Sequence, residues 1–243
     1  MAGVTRVPTP IVALDVQTSA DAVRLIEQLG RACDFYKVGS ELFAATGPAI
    51  LDYLRARGAR IFLDLKLHDI PNTVERAARV AAGHGVDLMT VHAVGGEEMV
   101  RAAVKGARAA GTTGVLAVTV LTSVDAQRLG AAWGRRIASV EKEVLRLAAL
   151  AHAAGVTGLV CSGAELGRLR SEFGNRLKLL VPGVRPASGA RGDQVRVVTP
   201  DFAARAGADY VVLGRAVSQA QRPAQALEAI VAEMRAAGGP KRN

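Results

Sequence analysis

Short apolar runs alternate with segments of helical pattern along the whole chain, and this rhythm predicts strands separated by helices. The β-like runs are Ile11 to Val16, Phe35 to Val38, Arg60 to Leu67, Leu88 to Ala93, Val115 to Leu121, Gly158 to Cys161, Leu177 to Val181 and Tyr210 to Leu213. Helices are expected from a Thr18 or Ser19 cap through Leu29, in the stretch reaching Arg57-Gly58, and over Val74 to Ala82, Glu97 to Ala109, Ala138 to Ala153 and Ala164 to Phe173. Two more follow, near Pro200 to Ala206 and over Pro223 to Ala237. Asn72-Thr73 reads as the cap of the helix starting near Val74. The stretch from Thr122-Ser123-Val124-Asp125 past Trp133 reads as a long connection, and Pro182 to Asp193 as a Gly/Pro-rich loop.

Eight such repeats with no compositional break favour a closed parallel barrel over an open doubly wound sheet. The expected fold is therefore α/β, a single-domain (β/α)8 TIM barrel over residues 1–243.

One stretch departs from the apolar rule. Asp64-Leu65-Lys66-Leu67-His68-Asp69-Ile70-Pro71-Asn72-Thr73 begins as a buried strand and ends as a charged loop. A lysine between two carboxylates is costly to desolvate unless the charges compensate one another, which suggests chemistry more than stability. In an extended segment Asp64 and Lys66 point to the same face. A solvated face or a structural salt bridge is the competing reading. In a parallel barrel, catalytic groups collect at the carboxyl ends of strands. Asp15, Lys37, Asp64 and Lys66 all fall near such ends on three neighbouring strands, and that convergence favours catalysis.

Two later features read as an anion site: Pro182-Gly183-Val184-Arg185-Pro186 after the seventh strand and Gly214-Arg215 after the eighth. Glycine permits close approach and arginine supplies a forked donor. Gln194 is either a further phosphate donor or a solvated surface residue. Thr122 and Ser123 are either hydrogen-bond partners of a polar ring or turn residues.

Composition narrows the function. Hydrophobic residues make up 50% and aromatics 4%, so the core is aliphatic. No run approaches the roughly 20 apolar residues of a membrane span, and no signal core follows the N-terminus, so a cytoplasmic protein is expected without membrane association. Cys33 and Cys161 read as small core residues. The net charge of +9 and pI near 10.2 raise nucleic-acid binding as a possibility. The basic residues are scattered and not interleaved with aromatics, so an anionic small molecule explains them better. There is no Walker A motif, no strand-linked GxGxxG and no HExxH, and His68, His84, His92 and His152 lack metal-ligand spacing. Neither a nicotinamide cofactor nor a structural zinc is implied by these residues.

At residues 64–73 the chain resembles the signature of the bacterial orotidine 5'-phosphate decarboxylase family. Phe35-Tyr36-Lys37-Val38-Gly39, Val118-Thr119-Val120-Leu121-Thr122-Ser123, Pro182-Gly183-Val184-Arg185-Pro186 and Leu213-Gly214-Arg215 resemble its other blocks in order. The resemblance implies decarboxylation of orotidine 5'-phosphate to UMP with no cofactor and no metal, and with Lys66 protonating C6. It implies that Asp15 and Lys37 hold ribose hydroxyls within an alternating network Lys37-Asp64-Lys66-Asp69. Asp69, Ile70 and Thr73 would reach into a partner subunit's site, making a homodimer with shared active sites. Thr122 would contact the pyrimidine, while Arg185, Gln194, Gly214 and Arg215 would bind phosphate under a mobile lid formed by the 182–193 loop. A sister group of magnesium-dependent enzymes is similar but carries a metal-binding glutamate where this chain has Lys37, and a lysine there repels magnesium.

Overall fold

Strand β1 (Thr9–Ala13) pairs in parallel with β2 (Phe35–Gly39), and each later strand adds beside the last. These are β3 (Arg60–Leu67), β4 (Leu88–His92), β5 (Gly114–Val118), β6 (Gly158–Val160), β7 (Lys178–Pro182) and β8 (Tyr210–Leu213). β8 returns to β1 and closes the barrel in sequential order. The computed structural model describes residues 7–186 and 198–238.

The helices between the strands are α1 (Ser19–Leu29), α2 (Ser40–Thr46), α3 (Ala49–Ala56), α4 (Pro71–Gly83), α5 (Gly96–Ala110), α6 (Ala126–Trp133), α7 (Val140–Ala153), α8 (Gly163–Phe173), α9 (Pro200–Arg205), α10 (Arg215–Ser218) and α11 (Pro223–Gly238). Period two along the strands sorts the core into two layers. Ile11 and Ala13 of β1 face inward with Phe35, Phe62, Leu88, Leu116, Leu180 and Val212, filling the barrel. Val12 and Leu14 face outward into the larger layer beneath the helices. Both faces of each strand are buried, which is why the runs are apolar without alternation.

Small residues set the closest helix pair. A Cβ placed on Gly106 of α5 would lie 2.1 Å from the Glu75 carbonyl oxygen of α4. Several ends differ from the sequence expectation. β1 stops at Ala13 and β5 at Val118, although the apolar pattern runs on, because Leu14 and Val120 stay buried beyond the strand ends. α4 starts at Pro71, so Asn72 and Thr73 lie inside its first turn and cap nothing. Proline suits that position because it needs no partner for a missing N–H. The expected long connection holds α6, whose N-cap Asp125 accepts a 2.9 Å hydrogen bond from the Arg128 N–H. Among the described residues, no helix is long and apolar enough to cross a membrane. Cys33 and Cys161 are buried and free, and burial pushes both thiols up, away from the reactive thiolate.

Candidate active site

The carboxyl ends of β1, β2 and β3 bring four charges together in one line. Lys37, on fully buried β2, donates a 2.6 Å hydrogen bond to Asp15 Oδ1 and stands 4.0 Å from Asp64 Oδ2. Lys66 Nζ donates to the same Asp64 Oδ2 at 2.9 Å. The side chains of Lys37 and Asp64 are only 11% and 14% exposed, so each charge is compensated where water is scarce. The alternation Asp15-Lys37-Asp64-Lys66 is therefore present in the single chain.

Asp64 and Lys66 meet by a route other than regular extension. Lys66 is the one non-glycine among the described residues with positive φ, at 51°. Leu63 pairs with Met89 and Leu67 with Val91, so Asp64, Leu65 and Lys66 together stand opposite Thr90 alone. The Thr90 hydroxyl accepts from the Lys66 N–H and donates to Asp64 Oδ1, both at 2.9 Å. Sequence reasoning does not single out Thr90. Its one signal is a hydroxyl in the otherwise apolar run Leu88-Met89-Thr90-Val91. Beyond it, burial, helped by the neighbouring His68 and Lys66, holds His92 below its ordinary value, and its ring centroid lies 5.8 Å from that of His68.

A cavity of about 360 Å³ opens at this mouth. Ala13, Phe62, Val118, Val160, Leu180 and Val212 give it apolar walls. Lys37, Lys66, Arg185 and Arg215 set four cations against the two carboxylates of Asp15 and Asp64, an excess suited to an anion. Gly214 and Thr122 also line it. Arg215 begins the short helix α10, a turn of helix that was expected only as a loop.

Three expected residues stand apart from this cluster. Asp69 is exposed, accepts from the Ile70 N–H at 2.6 Å, and makes no ion pair among the described residues. Ile70 is 66% exposed, and Thr73 is exposed in the first turn of α4. Gln194 and the 187–193 portion of the expected lid lie outside the described residues. Among the described residues, no group of three or more His, Cys, Asp or Glu side chains is placed to hold a metal ion.

The family model described as Orotidine 5'-phosphate decarboxylase / HUMPS family matches residues 8–230. The chain belongs to this family. A relative named orotidine 5'-phosphate decarboxylase from Anaeromyxobacter dehalogenans is 52% identical over 220 residues, spanning 90% of this chain and 95% of the relative. One of the same name from Halorhodospira halophila is 48% identical over 235 residues, with 95% and 98% covered. A crystal structure of orotidine 5'-phosphate decarboxylase from Lactobacillus acidophilus superposes with a TM-score of 0.84 at 36% identity, covering 94% of this chain and 99% of that one. The Lactobacillus acidophilus structure thus shares this chain's barrel, and the two relatives match it over nearly their whole length.

Proposed function

We propose that this chain decarboxylates orotidine 5'-phosphate to UMP and carbon dioxide, the last step of de novo UMP synthesis, with Lys66 protonating C6. The observation that carries this reading is the Lys66 ammonium, fixed 2.9 Å from Asp64 at a cavity also lined by Arg185 and Arg215. Loss of carbon dioxide leaves an electron pair at C6 with little to delocalise it. A preset ammonium stabilises that charge as it forms and then donates the proton, converting the carbanion to a C–H bond. The amine left on Lys66 regains its proton from solvent.

The other residues bind and orient. Asp15 and Lys37 suit ribose hydroxyls as acceptor and donor. Arg185 and Arg215 suit the phosphate, with Gly214 allowing close approach and Gln194 as a further donor. Thr122 suits the polar edge of the pyrimidine. Binding energy from the remote phosphate can be used at the reacting carbon. Charge and proton both come from Lys66, so the reading calls for no metal and no cofactor.

Asp69, Ile70 and Thr73 project outward from the loop after β3 and the start of α4. That placement supports a homodimer in which each chain lends these residues to its partner's site, with Asp69 completing the charge network there. The whole chain is read as one catalytic domain acting in the cytoplasm on a small nucleotide.

The test follows ultraviolet absorbance after orotidine 5'-phosphate is added to metal-free protein. Wild type should turn over substrate equally with and without EDTA, and Lys66→Ala should lower kcat by at least about a thousandfold. Activity that vanished with EDTA, or an active Lys66→Ala enzyme, would overturn the reading.

A further inference from the structure

We propose that Thr90 is a positioning residue for this reaction, its hydroxyl fixing both the Asp64 carboxylate and the backbone turn that aims Lys66. The inference rests on the role given to Lys66 above. Three observations carry it. Thr90 is fully buried and does not line the active-site cavity, so it acts through its neighbours and not on substrate. Its hydroxyl has one proton to give and lone pairs to receive, and both capacities are used: donation to Asp64 Oδ1 and acceptance from the Lys66 N–H, each at 2.9 Å. It also stands alone on β4 opposite three residues of β3, at the place where the ladder breaks register.

The break leaves the Lys66 N–H beside a side chain instead of a backbone carbonyl, and the Thr90 oxygen serves as the substitute acceptor. That bond holds Lys66 at φ 51°, a conformation that L side chains adopt at a cost and keep only when their surroundings enforce it. The second bond pins Oδ1 of Asp64 and leaves Oδ2 turned toward both ammoniums, 2.9 Å from Lys66 and 4.0 Å from Lys37. One hydroxyl therefore sets the direction of the lysine and the orientation of the carboxylate that steers it. Small errors in such aim are expensive, because a preset charge counts only where charge develops in the transition state.

The experiment compares Thr90→Val, which keeps the branched shape but removes the hydroxyl, with Thr90→Ser, which keeps the hydroxyl but removes the methyl. Steady-state kinetics, UMP affinity and melting temperature are measured on each. For Thr90→Val, kcat should fall roughly tenfold or more while KM and UMP affinity stay within about threefold of wild type. Thr90→Ser should stay within about threefold in kcat even if it melts lower, because only packing is lost. A Thr90→Val enzyme with wild-type kcat, or a Thr90→Ser enzyme impaired as badly as Thr90→Val, overturns the proposal. If Thr90→Val does not fold, Thr90→Cys takes its place with the same readouts, since a thiol is a weak hydrogen-bonding group of similar size. Lys66→Ala is assayed alongside. If it is inactive while Thr90→Val is normal, only the Thr90 inference fails; if it is active, the reading of Lys66 itself fails.

Discussion

Lys37 is the more deeply buried of the two site lysines, and its position depends on a residue with no side chain. A Cβ added to Gly39 would lie 2.9 Å from Lys37 Nζ and 3.4 Å from Asp15 Oδ1. The nearest obstacle is the far end of a flexible side chain, so the strand can tolerate the methyl while the ammonium cannot stay put. Gly39→Ala should therefore lower kcat/KM by about tenfold with a melting temperature within about 5 °C of wild type, read by kinetics and a thermal scan. At this scale the sequence was easiest to interpret where a charge interrupts an apolar strand, as Lys37, Asp64 and Lys66 do. Thr90 gave no such contrast, because threonine is ordinary in strands. The Asp64–Lys66 contact was foreseen for the wrong reason. Regular extension predicts a shared face, whereas the contact arises from a left-handed residue in an irregular ladder.

Elements were legible in their centres and less so at their ends. Leu14 and Val120 continue the apolar pattern past the strand ends because the loops there are buried too. The short helix α6 escaped notice because Gly130 weakens its pattern, and only the Asp125 cap signalled it. A second polar network ties α8, β7 and the start of β8 together at the opposite end of the barrel. Asp209 accepts from Arg170 Nη2 at 2.7 Å, Lys178 Nζ at 2.9 Å and the Leu179 N–H at 3.0 Å. Burial raises this carboxyl, but the Leu179 N–H, Lys178 and Arg170 together outweigh burial and hold it below its ordinary value of 3.8. A group with a depressed folded value stabilises the fold above its unfolded value and stops doing so as pH falls through the folded one. Asp209→Asn should cost about 2 kcal/mol at pH 7, and the gap to wild type should narrow as pH falls below 3.8 in denaturant titrations.

For the whole molecule, the barrel followed from eight repeats without a break, and the mouth followed from where the charges fall along them. The arrangement of Asp69 did not follow from the single chain, where it faces outward and pairs with no cation among the described residues. The proposed shared sites give that residue a role and a test. Inactive Asp69→Ala and Lys66→Ala chains, mixed and allowed to exchange, should regain about one quarter of wild-type activity. Half of the random dimers are mixed, and each mixed dimer carries one intact site of two. No recovery despite proven exchange would remove the shared-site claim. The packed barrel interior has its own consequence for traffic. With Phe35, Phe62, Leu116 and Leu180 plugging the bore, the active-site cup is closed from below among the described residues, and it lies at the carboxyl ends of the strands. Gas and nucleotide must leave by the threshold the substrate crossed, so a bulky tenant at the rim would delay the escape of both.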